Sequence, residues 1–314
     1  MRTLRLVPAN TKIEFVNKRL IAFVISAVLV LSSAGMFFGK GLNLGIDFLG
    51  GILIEVRTNG PADISDLRTQ LGGLGLGEVS LQEFGSADDV LIRIQRQDGS
   101  DSAQQKAIDV VKSALGSTVV EYRRTEFVGP TVGAELKRAA TWAVLAAIGA
   151  ILLYIWLRFE WQFGVGAVVA LGHDVITTVG LFSLLALEFN LATVAAVLTI
   201  AGYSINDTVV IYDRVRENLR RYKKLPLEEL FNKSINETLS RTVMTSVTTL
   251  LALFALYVFG GAVIRGFAIA LIWGVLIGTY SSIALAVPIL LYIRPDRGVA
   301  GDEDENQIIE QEAT

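Results

Sequence analysis

The stretch LATVAAVLTIAGYSINDTVVIY, residues 191–212, is apolar enough to cross a bilayer but carries one carboxylate, that of Asp207. A membrane-spanning helix needs roughly 20 consecutive residues of mainly apolar character. A carboxylate within the hydrocarbon region costs roughly 3 kcal/mol or more, so it is usually retained for function and is paired or hydrated. The stretch therefore predicts a membrane helix that carries a functional acid.

The rest of the chain is also rich in apolar residues, which make up 52% of its 314 residues. The first apolar run follows Lys18 and Arg19, as in a signal peptide, but it is longer than the about 7–15 residues of a signal h-region and no A-x-A site follows. We therefore expect a retained anchor. The sequence predicts a polytopic α-helical membrane protein with six transmembrane helices, at residues 20–38, 139–157, 162–187, 191–212, 243–259 and 267–293.

Basic residues in the short loops predict the side of the membrane on which each loop lies, because cytoplasmic loops are enriched in lysine and arginine. They precede the first run and follow the second, fourth and sixth, whereas the opposite short loops contain only Arg265. We expect cytoplasmic segments at 1–19, 213–242 and 294–314, and an outside domain at 39–138. The acidic tail from Asp302 onward is predicted to be a solvated end rather than a docking motif.

The outside segment changes from apolar runs to alternating strands and amphipathic helices. Residues 52–56 alternate with period two, which is typical of a strand. Helices at 61–71 and 101–115 and strands at 78–84, 90–95 and 118–127 complete the order β-α-β-β-α-β, that of a ferredoxin-like α+β domain. The chain has no cysteine, so this domain must be stable without disulfides. The glycines at 72–77 are predicted to form a flexible connection, since no phosphate-binding Lys-Ser/Thr follows them.

Two ionisable residues occur together in the third apolar run. Asp174 lies near the expected bilayer centre, and Thr177 and Thr178 share its face. His173, the only histidine, is predicted to point about 100° away from Asp174. The pair is either a proton-handling site or a buried polar pair that fixes helix packing.

Asp207 has two candidate companions in the sequence. Asn206 lies beside it, and Arg241 stands at the entrance of the fifth apolar run. A nearby arginine favours the charged carboxylate, whereas burial favours the neutral acid. Asp207 and Arg241 therefore form either a site that responds to small rearrangements or a permanent salt bridge between two helices.

Soluble-enzyme chemistry is not indicated by any motif. The chain has no P-loop, no HExxH and no His/Cys metal cluster, and one histidine makes a Ser-His-Asp triad implausible. We expect no cofactor and an energy source other than ATP. A helix that begins near Pro226 is predicted to lie along the cytoplasmic membrane surface, with docking of a partner as the alternative.

Several long motifs resemble signatures of the SecD/SecF protein-export family, a branch of the RND superfamily. They cover nearly the whole chain in the expected order. One six-span unit with one small outside domain is similar to the subunit that partners SecD. The motifs are GLNLGIDFLGG (41–51), VGPTVGAEL (128–136), RFEWQFGVGAVVALGHDV (158–175), AGYSINDTVVIYDRVREN (201–218), RTVMTSVTTLLALFALYVFGG (241–261) and IRGFAIALIWGVLIGTYSS (264–282).

The resemblance implies half of an RND-type helix bundle, completed by SecD, in the bacterial inner membrane, with the outside domain in the periplasm. The complex would join the SecYEG channel and promote late, proton-motive-force-dependent steps in the export of a preprotein, with no role for nucleic acid. The positions matched by Asp207 and Arg241 are implicated in proton passage. His173 and Asp174 match a motif whose role is less defined, and we place them and Asn206 in the candidate proton pathway.

Two other functions are compatible with such a sequence. One is a passive membrane scaffold whose buried charges only hold helices together. The other is an RND-type exporter of small solutes or lipids, although that class usually needs a larger outside domain to form a substrate pocket.

Overall fold

The computed structural model describes residue 8 and residues 11–99 and 101–295, so most of the predicted acidic tail lies outside the described residues. Ten helices occur in this part of the chain: α1 (Arg19–Lys40), α2 (Ile46–Leu49), α3 (Ile64–Gly72), α4 (Asp101–Leu115), α5 (Pro130–Arg158), α6 (Trp161–Leu185), α7 (Leu191–Arg221), α8 (Leu227–Phe259), α9 (Gly261–Ser281) and α10 (Val287–Ile293). The six strands are β1 (Asn43–Leu44), β2 (Gly51–Thr58), β3 (Val79–Phe84), β4 (Ser86–Ile94), β5 (Val119–Val128) and β6 (Glu188–Phe189).

Six helical segments of the described chain are long and apolar enough to cross a membrane, which confirms the predicted fold class. They are α1, α5, α6, α7, α8 and the continuous segment made by α9 and α10. The apolar windows of α6, α7 and the α9–α10 segment are 50–61% buried, whereas those of α1 and α5 are only 6% buried. The bundle is therefore built around α6, α7 and α9, with the other helices at its edge.

A π-helical turn, Ser282–Ala286, joins α9 to α10. Pro288 lies two residues beyond it and has no amide hydrogen to donate within the helix. Such turns disturb the regular ladder and are frequent at functional sites. Here the carbonyl of Ala286 accepts a hydrogen bond from the hydroxyl of Tyr212 in α7, at 3.0 Å.

The fourth and fifth spans extend further than their apolar runs predicted. Helix α7 continues to Arg221, and α8 is one unbroken helix from Leu227, with no separate helix lying along the membrane surface. No proline or glycine occurs between residues 227 and 259, so nothing in the sequence ends the helix there. The first turns of α8 are held by α7, because Leu230 and Phe231 are buried and Asn218 donates to Ser234 at 2.9 Å.

The outside domain has the predicted order of strands and helices. Its antiparallel sheet has the strand order β3-β4-β2-β5, with α3 and α4 packed on one face. The core contains the alternating residues of β2 together with side chains of the helices, including Ile54, Leu71 and Val111.

Two local boundaries in this domain differ from the prediction. Helix α3 begins at Ile64 rather than at Pro61, because the carboxylate of Asp63 accepts the N–H groups of Ser65 and Asp66, both at 3.0 Å. Strand β4 begins directly after Gly85, whose φ of +91° suits a tight reversal. The predicted turn at 85–89 is therefore shorter.

The domain is joined to one end of the bundle, here called the domain end, by a small junction. Strand β1 pairs in parallel with β6, which lies between α6 and α7. Arg93 of the sheet contacts both strands, since its guanidinium lies 2.6 Å from Asn43 Oδ1 and 2.9 Å from a Glu188 carboxylate oxygen. Asp47 accepts the backbone N–H of Leu191, the first residue of α7, at 2.9 Å.

At the far end, the segment before α1 lies against α8 and is held mainly through its main chain, with one side-chain contact between Asn17 and Asn232. Asn236 accepts the N–H of Ile13 at 3.0 Å and donates to the carbonyl of the same residue at 2.9 Å. Asn232, one turn earlier, accepts the N–H of Val16 at 2.9 Å. These bonds tie the start of α1 to the start of α8.

Candidate functional site

Asp207 lies in the middle of α7 and is buried, with 3% of its surface exposed. One carboxylate oxygen, Oδ2, is inaccessible and has no hydrogen-bond partner among the described residues. An unpartnered buried polar atom is costly, and in native proteins it often marks a functional site or a place for water or an ion.

Asp174 in α6 is completely buried, but its carboxylate is well partnered. Oδ2 accepts from the hydroxyls of Ser204 in α7, at 2.5 Å, and Ser281 in α9, at 2.7 Å. Asp174 therefore joins the three central helices of the bundle. This geometry favours the interpretation of Asp174 as a packing centre, while its part in a proton pathway stays a prediction.

The helical spacing predicted that His173 points away from Asp174, but the structure shows the two side chains in contact. His173 Nδ1 lies 2.9 Å from Asp174 Oδ1, because rotation of the two side chains brings neighbouring residues together. The other ring nitrogen, Nε2, is buried without a hydrogen-bond partner among the described residues.

The structure does not contain the salt bridge that was one of the alternatives for Asp207. No ion pair within 4.0 Å links Asp207 to Arg241 or to another basic residue in the described part of the chain. Arg241 lies on the neighbouring helix α8. Its side chain is exposed, as is that of Asn206, so neither is enclosed with Asp207 inside this chain.

The position of Asp207 relative to α8 follows from helix geometry. Asn218 of α7 contacts Ser234 of α8, and the two helices run in opposite directions. At 1.5 Å per residue, Asp207 lies about 16 Å from Asn218, and Ser246 lies about 18 Å from Ser234. Asp207 is therefore level with the turn of α8 between Thr242 and Ser246.

A line of polar side chains extends along this part of the bundle. The sequence did not predict most of the contacts between them. Thr208 contacts Ser282 at 2.8 Å, and Ser246 contacts Thr279 at 2.7 Å. The hydroxyls of Tyr203 and Thr242 are buried and unpartnered among the described residues. The repeated serine and threonine residues in these apolar runs were the available signal, but only tertiary packing shows which of them meet.

The described ranges contain no evident site for a metal ion. No group of three or more histidine, aspartate or glutamate side chains lies close enough there to hold a metal ion. The buried carboxylate of Asp207, with an oxygen that has no partner among the described residues, can hold or release a proton.

Comparison with known families gives two matches. Residues 108–296 match the family "Protein export membrane protein SecD/SecF, C-terminal". Residues 35–62, which include β1 and Asp47 of the junction, match the "SecD/SecF GG Motif" family.

Relatives and solved structures agree with these matches. The protein translocase subunit SecF of Rickettsia bellii is 50% identical over 290 residues, which cover 91% of this chain and 95% of that protein. The corresponding subunit of Cereibacter sphaeroides is 47% identical over 303 residues and 94% of each chain.

Among solved structures, SecDF from Thermus thermophilus, described as a translocon-associated membrane protein, has a TM-score of 0.83 and 39% identity over 91% of this chain. A second SecDF structure, in a super-membrane-facing form, has a TM-score of 0.68 and 36% identity over the whole chain. This chain spans only about two fifths of those SecDF chains, 39% and 42%. On the family match and the identity to these subunits, the chain belongs to the SecD/SecF protein-export family, as one of its SecF-type members.

Proposed function

We propose that this chain is the SecF-type subunit of an accessory complex that uses the proton motive force to promote late steps of protein translocation across the bacterial inner membrane. SecD completes the helix bundle, and the complex acts with the SecYEG channel on a translocating preprotein. Residues 39–138 lie in the periplasm and both termini in the cytoplasm, in agreement with the distribution of basic residues. The subunit is not an enzyme and needs no cofactor.

The observation that carries the proposal is the state of Asp207. Its carboxylate is buried in an apolar span, has an oxygen without a partner among the described residues and forms no ion pair with Arg241 on the neighbouring helix α8. A permanent structural ion pair would instead bring the two groups into contact. The arrangement suits an acid that is charged in one conformation and neutral in another.

In the proposed cycle, a proton enters from the periplasm, neutralises Asp207 and leaves to the cytoplasm. Neutralisation weakens the attraction for Arg241, so α7 and α8 change their relative positions. One charge that crosses a potential of 100 mV releases about 2.3 kcal/mol. This is comparable with the few kcal/mol that separate typical conformers.

The junction supplies a route from α7 to the periplasmic domain. Asp47 holds the first residue of α7, and β6, directly before α7, pairs with β1. A shift of α7 would therefore be transmitted to the domain, which tilts and holds the emerging polypeptide against backsliding. Strands β3 and β5 are the edges of the sheet and offer unpaired backbone groups to an extended chain.

The direct test is completion of preprotein import into inverted membrane vesicles with and without a proton gradient. We expect Asp207→Asn and Arg241→Met to abolish the gradient-dependent part of import and leave the ATP-driven part unchanged. Asp213→Asn is the matched control, because Asp213 lies on the same helix but is partly exposed and pairs with Arg158 at 2.8 Å. Equal amounts of assembled SecD partner are verified in each membrane.

Unchanged gradient-dependent import in Asp207→Asn would favour the passive scaffold. The exporter alternative is tested by crosslinking from the periplasmic domain. Crosslinks to a preprotein arrested during translocation support the export function, and their absence while small solutes are transported would contradict it.

A further inference from the structure

A cleft of about 520 Å³ lies at the far end of the bundle, between the end of α5 and the last turns of α7. It is separate from the Asp207 site. Six residues line it, four of them arginines: Arg158, Asp213, Arg216, Glu217, Arg220 and Arg221.

The two acids of the cleft do not balance its arginines. Asp213 forms an ion pair with Arg158, and Glu217 forms one with Arg214, which lies outside the cleft lining. In the described part of the chain, Arg216, Arg220 and Arg221 have no carboxylate within 4.0 Å. Three guanidinium groups therefore remain available to an external anion.

Part of this cationic surface is held in place by aromatic rings. The guanidinium groups of Arg158 and Arg216 lie over the ring of Phe159, at 5.2 and 5.4 Å from its centre. Arg216 also donates to the carbonyl of Arg158 at 3.2 Å. Planar, pre-positioned guanidinium groups bind phosphate oxygens in pairs, which a flexible lysine does less well.

The surroundings of the cleft are apolar and exposed. Arg158 is the last residue of a membrane-spanning helix, and beside it Trp156 and Trp161 are 70% and 62% exposed. Tryptophan at the end of a span is typical of the membrane–water interface. Basic pockets at the cytoplasmic ends of spans, next to lipid, bind anionic phospholipid headgroups.

We propose that the arginine cleft binds the phosphate of an anionic phospholipid, whose acyl chains lie along the exposed apolar end of α5. An acidic protein segment would match the charge but would make no use of the exposed tryptophans. The phosphodiester and the acyl chains together match both parts of the surface.

The test is native mass spectrometry of the detergent-purified complex with SecD, incubated with cardiolipin, phosphatidylglycerol or phosphatidylethanolamine. We expect the anionic lipids to bind in preference to phosphatidylethanolamine. Replacement of Arg216, Arg220 and Arg221 by glutamine should lower anionic-lipid affinity by roughly fivefold for each arginine removed. Replacement of the same three by lysine, which keeps the charge, should lower it less.

The matched control removes three exposed cytoplasmic charges outside the cleft, in Lys12→Gln/Lys18→Gln/Lys224→Gln. An equal loss in this control would overturn the proposal, because binding would then depend on the overall positive charge. The proposal also fails if phosphatidylethanolamine binds equally well, or if water-soluble glycerophosphoglycerol displaces the lipid at equal concentration. It fails again if lipid binds only after removal of residues 302–314, since the acidic tail would then be the occupant.

Discussion

Asp47, in the segment that links α1 to the outside domain, caps the helix that carries Asp207: its Oδ2 lies 2.9 Å from the amide nitrogen of Leu191. A carboxylate at this position satisfies a free N–H group and interacts favourably with the helix dipole. Because Asp207 is 16 residues further along the same helix, the domain and the proposed proton site share one rigid element.

This contact predicts a specific loss in Asp47→Ala. We expect a destabilisation of about 1 kcal/mol, as for other helix caps, together with a marked loss of gradient-dependent import. The measurements are thermal unfolding of the complex and vesicle import. Asp63→Ala removes a comparable cap from α3 inside the domain, so it should lower stability without affecting the gradient-dependent part. Equal import defects in both variants would contradict a special role for Asp47.

Replacement of the two buried carboxylates, those of Asp174 and Asp207, should change the stability of the protein by different amounts. Asp174→Ala removes the carboxylate that accepts from the hydroxyls of Ser204 and Ser281, so we expect a loss of about 1–3 kcal/mol in the free energy of unfolding. Asp207→Asn breaks no hydrogen bond to a described residue and should change stability little. Chemical denaturation of the complex in detergent compares them. A larger loss in Asp207→Asn would show that its carboxylate has a structural partner.

Close packing of α1 against α6 makes Gly180 sensitive to substitution. A Cβ atom there would overlap the Cβ of Ser33. We expect Gly180→Ala to destabilise the protein by about 1–3 kcal/mol through overpacking. Gly172 is the control on the same helix, because a Cβ atom there meets nothing within 4 Å, and Gly172→Ala should be neutral or stabilising. The melting temperatures of the two variants decide the point.

We expect the stability of the outside domain to depend on pH through the buried carboxyl of Glu55. Burial raises the pKa of its carboxyl, with a lowering contribution from Arg124 and raising contributions from Asp89 and Glu121. The pKa of the Glu55 carboxyl is higher in the folded than in the unfolded chain. The contribution of Glu55 to folding stability is therefore fully present at pH values below the unfolded-state pKa. It is lost as the pH rises through the folded-state value.

Hydrogen exchange at the amides of β2 measures this effect in the intact protein. Exchange of the protected amides should indicate a less stable domain as the pH rises through that window, after correction for the intrinsic rate. Glu55→Gln should flatten the dependence, whereas Glu83→Gln, at an exposed strand position, should leave it unchanged. A dependence that persists in Glu55→Gln would assign it to another group.

Much of the fold could be predicted because it depends on local patterns. Apolar length predicts the six spans, and residue periodicity predicts the β-α-β-β-α-β order. The ends of α7 and α8 could not be predicted from hydropathy, since their last and first turns are polar on one side and buried against each other through Asn218 and Ser234.

The candidate site was predictable in its residues but not in its contacts. Asp174 and Asp207 are both evident as acids in apolar runs, yet the sequence does not show that one is fully partnered and the other is not. That difference depends on Ser204 and Ser281, which come from two other helices and meet Asp174 only through packing.

Asn232 and Asn236 hold the segment before α1 mainly through its main-chain atoms, and Asn232 also donates to the side chain of Asn17 at 3.2 Å. Such recognition is indifferent to which side chain stands at position 13 but sensitive to spacing. Exchange of Ile13 for any residue other than proline leaves both amide contacts available, whereas one residue inserted before Arg19 shifts these donors and acceptors relative to α1. At the far end of the bundle, the number of residues between Ile13 and Arg19 therefore sets the distance between the first helix and α8.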